Sequence, residues 1–206
     1  MSKWKQDLTR DIRRHEHGFD DQDLPESGTF EYDGWPEVSD ANLDALREEF
    51  LKVRDNCRAV LEIGISRESN GDKNFTQVFL KNKKQETIYV GIDIDDKTYL
   101  NNLENNVHTI QSSSTDYEKC MDIIRSVNVS EFDFIFIDGW HSINQVLADW
   151  EYTNILGPNG VVGFHDTAYH PGPKYFLEGL DTDKWNVVAN AVNDIKDWGI
   201  GFVRKK

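Results

Sequence analysis

The sequence has no long apolar run, almost no cysteine and no excess of positive charge, and each lack removes a class of function. Its longest unbroken hydrophobic stretches, such as FIFI at 134–137, fall far short of the roughly 20 residues that a membrane-spanning helix needs. The N-terminal MSKWKQDLTRDIRRHEH is charged and holds no apolar core of the secretory kind, so a cytoplasmic chain is expected. Cys57 and Cys120 are the two cysteines, far apart and without CxxC or Cys/His zinc spacing; two buried thiols in a reducing compartment follow. The formal charge of −14 speaks against a nucleic-acid or anionic-membrane partner, because those surfaces need clustered Lys and Arg. Arg10, Arg13 and Arg14 are the exception, and acids interrupt them, so solvation is their expected role.

What is present is the composition of a folded domain, 38% hydrophobic and 12% aromatic. Two parts differ in texture. Residues 1–38 are polar with isolated aromatics and read as an extension or lid, or as a contact in a homo-oligomer. Residues 39–206 alternate helical and strand patterns. Leu43, Leu46, Phe50 and Val53 recur at helical spacing behind a Ser39-Asp40 cap signal. RAVLEIGIS, TIYVGIDID, VHTIQSSS, FDFIFID and GVVGFHD read as five strands, the last after an ILGPNG turn, with helices between them. Such alternation implies a parallel sheet covered on both faces. KWNVVANAV and WGIGFVRKK are separated only by NDIKD, too short for a crossover, and should pair as an antiparallel hairpin at one side of the sheet.

In a doubly wound sheet, ligands bind beyond the carboxyl ends of the strands. There VLEIGIS offers Glu62, Gly64 and Ser66, and a glycine lets a cofactor approach the backbone. Ser66 stands where a second glycine of a pyrophosphate loop would be, which weakens a nicotinamide reading. YVGIDID puts Asp93 at the end of strand two, where a carboxylate can accept from both ribose hydroxyls; Asp95 reads as the cap of the next turn. QSSSTD supplies Ser112, Ser113 and Ser114 for an adenine edge or a helix cap, with Ser114 or Thr115 as the capping candidate. FIFIDGWHS and GFHDT each put an acid and an imidazole just past a core strand. Adjacent strands would gather Asp138, His141, His165 and Asp166 into a divalent-metal site, with one histidine left to act as a general base.

From about residue 58 to the end, these motifs in this order resemble the class I S-adenosylmethionine-dependent methyltransferases: VLEIGIS, YVGIDID, FDFIFIDG, LGPNG, FHDT and the closing GIGFVRKK. IDGWHS with FHDT further resembles the metal-dependent O-methyltransferases of macrolide and aminocoumarin sugars and the related cephalosporin-hydroxylase-like group. The resemblance implies a Rossmann-like α/β doubly wound sheet of seven strands, mostly parallel. It implies that Glu62, Gly64 and the backbone near Ser66 hold the methionine part of S-adenosylmethionine, with Asp93 at its ribose and Ser113 and Ser114 near its adenine. Asp138 counts with the cofactor-binding residues and with the metal ligands, and His141 takes the proton of an acceptor hydroxyl. The acceptor would be a small molecule or a glycan. In that subgroup strand five ends in two consecutive carboxylates, whereas this chain has His165-Asp166. Magnesium held with an imidazole, a softer ion such as manganese or iron, an ion on Asp138 and Asp166 alone, and no metal all stay open. Two other readings stay open as well: a non-catalytic binding protein on the same fold, and a nicotinamide-dependent oxidoreductase.

Overall fold

The computed structural model describes residues 38–66, 71–168, 170–192 and 197–206. The extension expected at 1–38 therefore lies outside the described residues except for Val38, as do Arg67–Asn70 of the loop after strand one.

Helix α1, Asp40–Val53, starts where the Ser39 hydroxyl accepts the backbone N–H of Asn42 at 3.0 Å. Asn74 caps α2, Phe75–Asn82, through the N–H of Gln77. Between and after them run β1 (Ala59–Ile63), β2 (Ile88–Asp93), β3 (Val107–Gln111), α3 (Tyr117–Ser126) and β4 (Phe132–Ile137). Then follow α4 (Ile143–Trp150), β5 (Leu156–His165), α5 (Pro171–Glu178), β6 (Trp185–Val188) and β7 (Ile200–Lys205). The seven strands form one sheet in the order β3-β2-β1-β4-β5-β7-β6. Strands β1 to β5 run parallel to one another, while β7 runs antiparallel to both β5 and β6. Among the described residues no helix is long and apolar enough to cross a membrane.

Two apolar layers sandwich the sheet. Phe134 and Phe136 of β4 point to the α1/α2 side, where they meet Phe50, Phe75 and Phe79 in tilted and edge-on contacts at 5.2–5.9 Å. Ile135 and Ile137 point the other way, into a layer with Met121 and Ile124 of α3, Val146 of α4 and Leu177 of α5. Phe132 lies in that second layer too, breaking the alternation, because the pairing with β5 shifts register between Phe132 and Phe134. Cys57 and Cys120 are buried and free, as expected.

Three local expectations are corrected, and one helix goes unannounced by the sequence pattern. β5 begins at Leu156, so the LGPNG expected as a turn belongs to the strand, whose register shift absorbs the irregularity. PGPKYFLE forms helix α5, for which the sequence pattern gives no sign; Pro171 and Pro173 suit its first turn, where backbone N–H groups need no helical partner. Asp96, rather than Asp95, accepts the N–H of Thr98, while the N–H of Asp95 turns back to Asp93. Asp116, not Ser114 or Thr115, occupies the N-cap of α3; Ser114 is committed elsewhere.

Glu62 lies on the α1/α2 side of β1 and is fully buried. Thr76 Oγ1 donates to its Oε1 at 2.8 Å and the Tyr89 hydroxyl donates to its Oε2. Burial pushes this carboxyl from its ordinary 4.5 up to about 8, against the two hydrogen bonds. The folded protein thus holds a proton that the unfolded chain releases, and stability falls as pH rises from 4.5 to about 8. Glu62→Gln, which stays neutral, should gain on the wild type across that window. Urea midpoints of both proteins at about pH 5 and about pH 8 check this; an equal gap at the two values would mean that Glu62 ionises normally.

Candidate active site

The carboxyl ends of β1 to β5 surround a cavity of about 300 Å³. β1 and β4 are the strands at which the order reverses, so the crevice lies where a doubly wound sheet puts it. Gly64 forms its floor at φ +85°, and a Cβ there would stand 2.2 Å from the carbonyl oxygen of Asp138. Only glycine fits so close an approach.

On one side of the floor stands Asp93. Its Oδ2 accepts the N–H of Ile65 and its Oδ1 that of Asp95, both at 2.8 Å, with Lys97 Nζ 3.9 Å away. Burial raises its pKa, opposed by those N–H groups and by Lys97. The N–H donors fix the carboxylate in one orientation and leave it lone pairs for hydroxyl donors. Ser112, Ser113 and Ser114 border the same side. Ser114 donates to Asp149 Oδ1 at 2.6 Å, while Gln145 Nε2 donates to both, at 2.8 and 2.9 Å. Asp149 is buried, which pushes it up to about 6. Ser113 pairs with Thr115 at 2.7 Å.

On the other side β4 and β5 deliver the acids and imidazoles. His165 Nδ1 lies 2.9 Å from Asp138 Oδ1 and 3.3 Å from Asp166 Oδ1. His141 Nε2 pairs with Asp166 Oδ2. Burial acts to lower the pKa of His165, but Asp166 and Asp138 outweigh it and hold it well above 6.5. Burial acts to raise Asp166, but His141 and His165 outweigh it and hold it well below 3.8. Burial raises Asp138, against the attraction of His165. Asp166 adopts φ +61°, a left-handed backbone that aims its carboxylate back toward β4.

Gly64, Ser66, Asp93, Ser113, Ser114, Asp138, His141, His165 and Asp166 all line the one cavity, together with Val38 at the end of the N-terminal segment. Glu62 does not line it; it lies beneath the turn, where Thr76 links it to the N–H of Ser66 at 3.0 Å. Four further residues escape sequence reasoning: Lys97, Gln145, Asp149 and His170. Gln145 and Asp149 show only an i, i+4 spacing on α4. His170 shows only its place before Pro171, four residues after Asp166.

A family model described as a methyltransferase domain matches residues 32–167, from before α1 to the tip of β5. No curated protein is significantly similar to the chain. Among solved structures, MycE methyltransferase from the mycinamycin biosynthetic pathway, in complex with Mg, SAH and mycinamycin VI, shares 21% identity over 84% of this chain, with a TM-score of 0.55. The chain spans 55% of the length of MycE. The O-methyltransferase from Bacillus cereus in complex with SAH shares 16% identity over 97% of this chain and 91% of its own, with a TM-score of 0.53. These likenesses concern the fold, and they agree with the strand order and the antiparallel β7. The chain belongs to the methyltransferase-domain family and has the class I S-adenosylmethionine-dependent methyltransferase fold.

Proposed function

We propose that this methyltransferase acts on a hydroxyl of a small acceptor, a sugar or similar polyol, with His141 as general base. The observation that carries the reading is one cavity with a fixed carboxylate, Asp93, on one side and the His141–Asp166 pair on the other. S-Adenosylmethionine, when bound, supplies a methyl group on a sulfonium that leaves readily. Asp93 would accept from its ribose hydroxyls and the serines 112–114 would border its adenine. The backbone at Gly64 and Ser66 would flank its methionine end, with Glu62 supporting that turn from below and Asp138 beside it.

An alcohol is a weak nucleophile until it loses its proton. Asp166 holds Nε2 of His141, which sets the ring and stabilises the charge it gains, so Nδ1 is the nitrogen that takes the proton. The cavity walls then align oxygen and methyl carbon, a contribution of position rather than of bonding.

The acids and imidazole of β4 and β5 suit a divalent ion. The donor atoms of Asp138, His165 and Asp166 lie within 4.8 Å of one another, and the buried Asp166 Oδ1, 3.3 Å from His165 Nδ1, makes no well-formed hydrogen bond. These three residues would hold the ion, whose charge would lower the pKa of an acceptor hydroxyl. One imidazole among the donors favours manganese or iron over magnesium. His165 must give up its proton to bind, so ion affinity should fall with falling pH.

His141→Ala should lower turnover by about 10²-fold or more while S-adenosylhomocysteine still binds. The check is a methylation assay against glycans and nucleotide sugars, run beside calorimetry; full activity would end the base assignment. Chelator treatment should reduce turnover and manganese should restore it. Undiminished turnover in chelator would end the ion's role and leave His141 untouched.

A further inference from the structure

We infer that the tip of β5 carries a second divalent-cation site, formed by His141, Asp166 and His170 and suited to a zinc-class transition ion. Ligand atoms of these three side chains lie within 4.8 Å of one another, as those of Asp138, His165 and Asp166 do. Asp166 serves both groups with different oxygens: Oδ1 faces His165 Nδ1 at 3.3 Å and Oδ2 pairs with His141 Nε2. The groups differ in chemistry. The first has two carboxylates and one imidazole, the second has one carboxylate and two imidazoles. Imidazole favours zinc, cobalt and nickel over magnesium, so the second group would take the ions for which the first is less well suited.

Several features of the chain build this second group. The left-handed backbone at Asp166 turns its carboxylate inward. The N–H of His170 donates to the carbonyl oxygen of Asp166 at 3.0 Å, closing a turn that brings His170 back over the acid. The rings of His141 and His170 stack, 12° apart with centroids at 4.0 Å, so a ring must rotate for both in-plane lone pairs to meet one ion. Their proximity depends on Gly172, where a Cβ would stand 2.0 Å from the carbonyl oxygen of His141. The first turn of α5 can therefore sit directly on the His141 loop. Asp166 and His170 are buried, whereas the side chain of His141 is 23% exposed and lines the cavity. Three protein donors with one side toward a cavity leave a coordination position for water or a ligand.

Occupancy would engage Nε2 of His141 and Oδ2 of Asp166, the two atoms whose pairing orients the base. Insofar as the site bears on transfer, the inference rests on the proposed function: a zinc-class ion there inhibits. Binding itself does not depend on that reading.

The test uses the full chain freed of metal and then titrated with Co²⁺, followed by its visible absorption, and with Zn²⁺ by competition calorimetry. Asp138→Asn removes a donor from the first group only and should still bind one ion. Adding His170→Ala to that variant should weaken binding by more than about tenfold, at least the loss seen when a ligand's supporting partner is removed. X-ray absorption of the Zn²⁺-loaded Asp138→Asn protein should show two imidazoles, and this measurement does not require the double variant to fold. Undiminished affinity in the double variant, or fewer than two imidazoles on the ion, would overturn the site. A protein that binds zinc through two imidazoles yet transfers no methyl group would uphold the site and count against the proposed function instead.

Discussion

The close approach of β1 and β4 at their carboxyl ends governs the rest of the molecule. The Gly64 backbone lies so near the carbonyl of Asp138 that no side chain can stand between them. Across this seam Asp138 N–H donates to the oxygen of Ile63 at 2.8 Å, while Gly64 N–H donates to the oxygen of Ile92 on neighbouring β2 at 2.9 Å. β1 leads on to β2 and β3 on one side, and β4 to β5 on the other, so the chain departs in opposite directions from this seam. A crevice must open there. A side chain at position 64 would fill its floor, whichever polar groups surrounded it.

The two walls of the crevice solve the problem of buried charge differently. Asp93 is held by backbone N–H groups and Lys97, an arrangement with little freedom and an acceptor face toward the cavity. Asp138 and Asp166 are held by imidazoles, whose charge a proton or an ion can supply. The first wall is suited to recognition and the second to proton handling. The proposed methyl transfer to a hydroxyl rests on that division rather than on any single residue. It also makes Asp166 the shared element, since one oxygen faces the His165 group and the other the His141 group.

Much of this architecture is legible in the amino-acid sequence. Capped, periodic helices announce themselves: Ser39 with Leu43, Leu46 and Phe50 encodes its own start and buried face. Strand ends that release Asp93, Asp138, His141 and Asp166 are readable because parallel strands must deliver their ends to one edge. What stays hidden depends on partners distant in sequence. Ser114 looks like a helix cap, yet Asp149, thirty-five residues on, claims its hydroxyl. Glu62 looks like a ligand of the cofactor, yet Tyr89 and Thr76 enclose it below the turn. His170 carries no local signal, because only the turn from Asp166 and the seating of α5 on the His141 loop bring it to the site.

On the proposed function, Asp93 is the cofactor-recognising carboxylate of this crevice. Calorimetric titration of wild type and Asp93→Ala with S-adenosylhomocysteine, with NADH as the control ligand, tests it most directly. The expected result is one S-adenosylhomocysteine bound per wild-type chain, no response to NADH, and affinity reduced by about tenfold or more in the variant, the scale of losing one or more hydrogen bonds to a charged group. Equal affinity in the two proteins, or binding of NADH in preference, would contradict it.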